Sequence, residues 1–308
     1  MNTFLKILIK LIPIKKYRKM ARDFINNNGI QAFFPSKKIK IYYYKDKLNF
    51  GDTLNESLMS YFNISYTYTY FKYAQLICIG SILQKYLDNG NNTTKKPIHV
   101  FGSGFITQQS CENEKFSCPV IFHALRGKLT LKRCEKITNQ DLSSVVLGDP
   151  GLLIKKIFPS INTSKKYDVG IICHYVDKNE PTLNNIQLKN LSVKYIDVAQ
   201  SPKNFVEDVY KCKFILSSAM HGLICADSLG IPNKHIVLSD KVVGGEYKFK
   251  DYYSVFKNFV YRPIYLKNTI INDNDIKRYC SEYTITEEQV EEICKNLIKV
   301  FPLERLKK

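Results

Sequence analysis

Residues 213–232 read KFILSSAMHGLICADSLGIP and combine a short strand, a turn and a helix. The continuous apolar run Phe214–Leu216 is typical of a strand that is buried on both faces. From Ala219 onward apolar residues recur at helical spacing, Ser218 is a suitable N-cap, and Gly230 ends the helix. Because strand-helix units build parallel sheets, this stretch predicts an α/β fold.

The start of this predicted helix is a candidate anion site. Its first backbone N–H groups lack partners within the helix and carry the positive end of the helix dipole. Phosphate or carboxylate groups bind readily at such a position, here beside Ser217 and Ser218. His221, in the first turn, can donate to an anion or carry a proton near neutral pH. A serine cap with a nearby histidine also occurs in helices that bind nothing, so a structural role stays open.

Other polar residues directly follow predicted strands. Arg126 comes after the strand 119–124, where its planar fork suits a carboxylate or a phosphate. A surface arginine that pairs with a neighbouring helix would look the same. Asp52 follows the strand 39–44 and is predicted to cap a helix that starts at Thr53.

Glycines also end predicted strands. Gly102, Ser103 and Gly104 follow the strand 98–101, and such glycines allow either a close approach of the backbone to a ligand or a tight turn. The dinucleotide-binding pattern G-x-G-x-x-G does not occur here, so no dinucleotide site is predicted. Asp149 lies in the turn Gly-Asp-Pro-Gly, where it can hold the framework of a cleft.

The composition sets bounds on the fold and the compartment. The chain has 308 residues, of which 44% are hydrophobic, enough for two ordinary domains. A polar, aperiodic stretch at 159–166 places the boundary between domains at residues 1–160 and 161–308. The nine cysteines form no C-x-x-C pair, which argues against a disulfide framework and against a zinc ribbon. Reduced thiols fit a cytoplasmic protein, and no metal site is expected.

The net charge of +18 is concentrated at the N-terminus. Residues 1–47 hold twelve Lys/Arg and two acids, a net charge of +10. The apolar run 4–14 is interrupted by lysines and is too short to span a bilayer. A basic amphipathic segment of this kind favours peripheral attachment to an anionic membrane, here the inner face, although a helix packed on the domain fits equally. Nucleic acid is not an expected partner, because no nucleic-acid-binding motif is present.

The stretch at 213–232 resembles the S-x-x-x-H-G-x-x-x-A-D-x-x-G-I-P segment of the polysaccharide pyruvyl transferase family. Further stretches resemble family motifs in the same order along the chain. They are N-F-G-D-x-L-N at 49–55, G-S-G-F at 102–105, A-L-R-G-x-L-T at 124–130, G-D-P-G-L-L at 148–153, G-I-I-x-H-Y-V-D at 170–177 and K-F-x-D-Y at 248–252. Cys173 stands where the family usually has proline, which changes the backbone constraint before His174. On the residues alone, His174 is as consistent with a structural histidine as with a functional one.

The resemblance implies two Rossmann-like domains that face a cleft, as in GT-B folds. It also implies that the protein transfers a pyruvyl group from phosphoenolpyruvate to a sugar and forms a pyruvate ketal. The sugar would belong to a surface polysaccharide or to its lipid-linked precursor. No cofactor is expected, since phosphoenolpyruvate is the donor substrate. The implied residues are catalytic His221, Asp52 and His174; donor-binding Arg126, Ser217, Ser218 and Lys248; and cleft-lining Asn49, Gly51, Asn55, Gly102, Ser103, Gly104, Asp149 and Gly222.

Two other classes of function stay open on the sequence. A glycosyltransferase of the same shape would bind a nucleotide sugar, and the sequence neither shows nor excludes a nucleoside pocket. A non-catalytic saccharide-binding module would not need His221 and Arg126 together at strand ends. Binding of phosphoenolpyruvate or of nucleotide sugars discriminates the three classes, because a ligand that binds the folded state raises its apparent stability.

Overall fold

The structure is a computed structural model that describes residues 38–88, 96–108 and 113–306. Its strands form two sheets, and every pairing between neighbouring strands within them is parallel. The first sheet has the order β2-β1-β3-β4-β5-β6. Its strands are β1 Ile39–Ile41, β2 Tyr66–Tyr68, β3 Leu76–Ile77, β4 Ile98–Phe101, β5 Val120–Leu125 and β6 Val146–Leu147.

The second sheet has the order β11-β10-β9-β7-β8. Its strands are β7 Tyr167–Ile172, β8 Val193–Ile196, β9 Cys212–Ser217, β10 Asn233–Val237 and β11 Ile264–Tyr265. The central strand β9 is almost continuously buried, as its apolar sequence predicts.

Nine α-helices lie within the described residues. They are α1 Phe50–Tyr61, α2 Lys128–Thr138, α3 Ile154–Ile157, α4 Pro202–Tyr210, α5 Met220–Ser228, α6 Tyr247–Tyr253, α7 Asp273–Glu282, α8 Glu287–Val300 and α9 Leu303–Leu306. Thr286 and Gln289 form a capping box at the start of α8, and Pro202 occupies the favoured first position of α4.

Two helix starts were predicted wrongly. Helix α1 begins at Phe50 rather than Thr53, with Asn49 as the N-cap residue, so Asp52 lies in the first turn and does not cap. Phe50 is drawn into the helix by tertiary contacts: its N–H donates to the carbonyl of Val198, and its ring stacks on Phe205 at 3.9 Å between centroids.

The second error concerns Ser218. The N-cap of α5 is Ala219, because Ser218 instead continues the hydrogen bonding of strand β9 with its neighbour β7. Its N–H donates to the carbonyl of Ile172, and its hydroxyl accepts from the N–H of His174. Gly230 has φ +67 and follows the end of α5, which confirms the predicted helix stop.

One apolar core extends across both sheets, and a second covers the other face of the second sheet. The last long helix, α8, packs against β6 of the first sheet. Just beyond it, Phe301 stacks on Phe62 with 3.6 Å between ring centroids. The chain therefore returns to the first sheet after completing the second.

The structure confirms the α/β class with two parallel sheets. The paired Rossmann-like, GT-B arrangement and the division at residue 160 stay predictions. Among the described residues of the first sheet, 3-10 turns lie between β2 and β3, at Phe71–Tyr73, and after β3, at Leu83–Tyr86. Helices α1 and α2 follow β1 and β5 as α-helical connections.

Candidate active site

A cavity of about 400 Å³, here called the main cavity, lies where strand ends of the two sheets face each other. It is lined by five of the predicted site residues: Asn49, Asp52, His174, His221 and Lys248. Asn49 and Asp52 come from the first sheet's side, and the other three from the second. Further wall residues not predicted from the sequence include Tyr42, Tyr44, Ser81, Lys85, Tyr175, Met220 and Lys241.

Lys248 is a buried cation in the wall of the main cavity. Helix α6 places it there, and it is only 8% exposed. No carboxylate oxygen of the described residues lies within ion-pair distance of its ammonium group, whose nearest ring contact is Phe249 at 5.5 Å. Burial, followed by the charge of Arg126, lowers the pKa of Lys248 to about 8. The amine therefore stays mostly charged at pH 7 without a bonded counter-ion.

Asp52 faces the same cavity from the first turn of α1. Its Oδ2 accepts a hydrogen bond of 2.9 Å from the side-chain amide of Asn49. Burial raises the pKa of Asp52 to about 7, against the opposing effects of Asn49 and of the Lys248 charge. A carboxyl group with this pKa can both give and take a proton near neutral pH.

His221 lies in the first turn of α5, between Gly51 and Asp149. A methyl group on Gly51 would overlap the imidazole at Nδ1, so the absence of a side chain there makes room for the ring. Burial lowers the pKa of His221 to about 3, with smaller contributions from Arg126 and Lys248, so the ring is neutral at pH 7. Its Nε2 is buried and has no hydrogen-bond partner among the described residues.

Asp149 lies beneath His221, with its Oδ2 at 3.8 Å from Nε2 of the histidine. Its Oδ1 accepts from the N–H of Gly151 and caps the 3-10 turn Pro150–Leu153, as a framework residue would. Burial raises the pKa of Asp149 to about 6, and its Oδ2 also has no partner in the described part of the chain. A small rotation of either side chain would bring Asp149 Oδ2 and His221 Nε2 within hydrogen-bond distance.

His174 enters the cavity from the turn after β7. Its Nδ1 accepts from the N–H of Val176 at 3.4 Å, which leaves the proton of the neutral ring on Nε2. Burial, followed by the charge of Lys248, lowers the pKa of His174 to about 4. The ring is thus a neutral hydrogen-bonding group at pH 7, despite Cys173 in the preceding position.

Arg126 is not part of the cavity wall. It is fully buried, and its three guanidinium nitrogens donate to Asp251 Oδ2 at 2.8 Å, Ser81 Oγ at 2.6 Å and the carbonyl of Phe105 at 2.6 Å. These contacts hold the arginine behind the wall, with Ser81 between it and the cavity. Its predicted contact with the donor stays a prediction.

The hydroxyl groups of the two serines after β9 are engaged with the backbone. Ser217 Oγ accepts from the N–H of Ala219 and donates to its carbonyl, while Ser218 Oγ accepts from the N–H of His174. Neither lines the main cavity, so any contact of this turn with an anion there would come from the amides of α5. Gly222 makes room for Ser217 Oγ, which a methyl group would overlap.

The remaining predicted cleft residues support the wall from behind. Asn55 joins α1 to the end of β3 through two hydrogen bonds with the backbone of Ile79. Ser103 donates to the carbonyl of Gly80. Gly102 packs on Pro150 at φ +81, and Gly104 packs on the Arg126 guanidinium.

Comparison with known proteins decides the family. The family model of polysaccharide pyruvyl transferases matches residues 4–240. The chain belongs to this family. It is also 31% identical over 228 residues to an uncharacterized protein of Acanthamoeba polyphaga mimivirus, a match that covers 71% of this chain and 75% of the viral protein. Membership indicates a transferase that acts on a polysaccharide.

A solved structure, that of an uncharacterized protein from Klebsiella pneumoniae, is similar at 12% sequence identity and a TM-score of 0.40. The match covers 80% of this chain and 97% of the Klebsiella chain. No helix within the described residues is long and apolar enough to cross a membrane. The same residues contain no group of three or more His, Cys, Asp or Glu side chains that could hold a metal ion.

The sequence of this polysaccharide pyruvyl transferase family member did not reveal that Asp251 is the ion-pair partner of Arg126. The fully buried Asp251 pairs with Arg126 and also accepts from the backbone N–H and the hydroxyl of Thr130. It lies in the K-F-x-D-Y motif three residues after Lys248, so the motif itself was visible. Its partner, 125 positions earlier in the chain, was not visible. The motif thus supplies both the free cation of the cavity and the anion that positions Arg126.

Proposed function

We propose that this chain transfers a pyruvyl group from phosphoenolpyruvate to two hydroxyl groups of a saccharide and forms a ketal, with the donor in the main cavity. The observation that carries the proposal is Lys248. A buried cation without a bonded counter-ion is unfavourable unless an anion joins it. Lys85 also lines the main cavity, as does Lys241, which pairs with Glu180, and the one carboxyl group among the lining residues is that of Asp52. The cavity therefore suits a small molecule with more than one negative charge.

Phosphoenolpyruvate carries a carboxylate and a phosphate on the same enol. The ammonium group of Lys248 can bind one of them, and the backbone amides at the start of α5 can bind the other. Neutral His221 and His174 each offer an N–H donor at the same cavity. Arrival of the anion raises the pKa of both histidines and of Lys248, because nearby opposite charge favours their protonated forms.

The reaction needs one proton on carbon and the removal of two protons from oxygen. Protonation of the methylene carbon places positive charge on the central carbon, to which the first saccharide hydroxyl adds. The bond to the phosphate oxygen then breaks, and the second hydroxyl adds to the same carbon. The two hydroxyl protons balance the proton gained by the methyl group and the proton that leaves with phosphate.

Asp52 is the group best matched to donate the carbon-bound proton. Its pKa of about 7 leaves a large share protonated at neutral pH, whereas His221, with a pKa of about 3, is unprotonated in the free protein. Once the bound anion has raised its pKa and the ring is protonated, His221 can donate one N–H to the phosphate while its Nε2–H faces Asp149 below it. His174, with a pKa of about 4, is neutral and offers its Nε2–H as a hydrogen-bond donor, whereas the carboxylate that remains on Asp52 after proton donation can accept a hydroxyl proton.

Donor binding can be tested without knowing the acceptor. Phosphoenolpyruvate at 100 times its Kd should stabilise the protein by about 2.7 kcal/mol, seen as a rise in melting temperature. Lys248→Met should abolish this rise. Lys250→Met is the matched control, because Lys250 lies on the same helix, is exposed and pairs with Glu246. The control should retain the full rise.

Three results would contradict the proposal. One is equal stabilisation of the Lys248→Met and Lys250→Met variants by phosphoenolpyruvate. The second is stabilisation of the wild type by nucleotide sugars and not by phosphoenolpyruvate, which would identify a glycosyltransferase. The third is stabilisation by saccharides alone, which would identify a binding module.

A lipid-linked acceptor and attachment to the inner face of the membrane belong to the same proposal. The basic segment that motivates them lies in residues 1–37, outside the described residues, so both stay predictions. Salt-sensitive flotation with anionic liposomes would support the attachment, because surface charge is screened by salt. Equal recovery with neutral liposomes would contradict it.

A further inference from the structure

We infer that a second cavity, here called the side cavity, binds the hydroxyl groups of the acceptor saccharide through Asp177. This inference rests on the proposed function. The side cavity has a volume of about 460 Å³, within the range typical of ligand sites. It lies at the end of β10 and is lined by Asp177, Ser218, His235, residues 236–246, Phe249 and Tyr265.

Asp177 is the feature that indicates a ligand. It ends the H-Y-V-D motif, in the turn after β7, and its side chain is completely buried. Oδ1 accepts from the hydroxyl of Ser239, but Oδ2 has no hydrogen-bond partner among the described residues. A buried carboxylate oxygen without a donor is unfavourable, because it has lost its hydrogen bonds to water and gained none in the fold. A hydroxyl group of a bound molecule would supply the missing donor.

The charges of the two cavities favour different ligands. The side cavity is lined by three acidic residues, Asp177, Asp240 and Glu246, and by one lysine, Lys241. Glu246 pairs with Lys250 and Lys241 pairs with Glu180, so Asp177 and Asp240 leave the lining negative. A phosphate or a carboxylate would be repelled there. A neutral molecule rich in hydroxyl groups would not be repelled, and its donors match the carboxylate acceptors. A saccharide has this chemistry, and the donor substrate does not.

Aromatic side chains also line the side cavity. Phe249 stacks on His235 with 3.8 Å between ring centroids, and Tyr265 is 46% exposed at the same cavity. Apolar and aromatic walls with a few placed polar groups are the usual composition of small-molecule sites. The apolar C–H face of a sugar ring can lie on such a wall while its hydroxyl groups point to the carboxylates.

The two cavities adjoin each other, as transfer between their ligands requires. Lys241 and Val243 line both of them. Lys248 lies close enough to Asp52 in the main cavity and to Asp177 in the side cavity for both charges to affect it. A saccharide held at Asp177 would therefore lie next to the donor held at Lys248.

The test uses methyl glycosides of galactose, glucose and mannose as probes, with binding measured by saturation-transfer NMR in the absence of phosphoenolpyruvate. Asp177→Asn keeps the shape but replaces one acceptor oxygen by a donor. It should weaken binding of the probe that binds the wild type by about 10-fold to 100-fold, the loss expected for a hydrogen bond to a charged group. Asp197→Asn, at an exposed aspartate outside both cavities, is the control and should bind normally.

A second measurement on the wild type does not depend on a variant that folds. The bound glycoside should slow backbone hydrogen exchange in residues 239–246. The inference is overturned by equal affinity in the Asp177→Asn and wild-type proteins, by slowed exchange confined to other segments, or by the absence of binding of all three probes. Stabilisation by phosphoenolpyruvate is read separately and reports on the main cavity alone, so failure of the proposed donor is distinguishable from failure of the side cavity.

Discussion

Replacing Asp52 by asparagine removes a carboxyl group that the fold keeps protonated up to neutral pH. In the unfolded chain the pKa of this group is close to 3.8, and in the folded protein burial raises it to about 7. Between these values the folded state binds more protons than the unfolded state. The free energy of unfolding therefore falls as pH rises from about 4 to about 7, and this contribution is constant above that range.

The size of the effect follows from the two pKa values. At 1.36 kcal/mol per pH unit, the difference between the two pKa values lowers the free energy of unfolding by about 4 kcal/mol in total. About 2–3 kcal/mol of this loss falls between pH 5 and pH 8. The Asp52→Asn variant has no proton to lose and escapes this penalty. Part of the gain is offset because Lys248 loses a nearby negative charge. We expect the variant to be more stable than the wild type at pH 8 by about 2–4 kcal/mol, and much less so at pH 5.

The assay is scanning calorimetry of both proteins at pH 5 and pH 8. Asp46→Asn is the matched control, because Asp46 is exposed and lies six residues before Asp52. If Asp52 also donates the carbon-bound proton, the stabilised variant should lose turnover by about 10²-fold to 10⁴-fold, the usual contribution of general acid catalysis. Gain of stability together with loss of activity is the expected pattern for a functional group held in an unfavourable place.

The reasoning fails if the stability difference between Asp52→Asn and wild type is the same at pH 5 and pH 8. That result would mean that the carboxyl group is ionised throughout, so it could not supply a proton at neutral pH. If the stability difference depends on pH but turnover is unchanged, the pKa of Asp52 is raised as stated, but Asp52 does not donate the proton in the reaction.

Arg126→Lys should lower the free energy of unfolding by about 3–5 kcal/mol, because a compact ammonium group lacks the planar fork that reaches three separate partners, and Asp251 is left poorly paired. Denaturant unfolding tests this prediction, with the exposed Arg278→Lys as the control. The control should lose less than about 1 kcal/mol of unfolding free energy. Equal losses in the two variants would contradict the prediction. Gly51→Ala should displace His221 and destabilise the fold by about 1–3 kcal/mol, whereas Ser60→Ala, exposed on the same helix, should not. Equal melting temperatures of these two variants would show that the imidazole moves aside without cost.

Much of the site was predictable because parallel strands bring their carboxyl ends together. Asp52, His174 and His221 are distant in sequence, yet each follows a strand, and all three line one cavity. The sequence pattern therefore identifies which residues meet. It does not identify their protonation states, which depend on burial.

The two wrongly predicted helix starts have a common physical origin. Asp52 was expected to cap the first helix, but the contacts of Phe50 with Val198 and Phe205 start the helix earlier. Ser218 has the side chain of a good cap, but a strand neighbour provides its partner. Local propensity is overridden wherever a distant segment offers the same hydrogen bond.

The return of the chain to the first sheet affects how the protein can be divided. Phe301 lies against Phe62 and meets Phe101 edge-on at 5.0 Å, although more than 130 residues of the second sheet and its helices intervene. A fragment that ends at residue 160 would present these two rings to water and leave Arg126 without its carboxylate. Separate expression of the halves is therefore expected to give insoluble material, and binding studies need the whole chain.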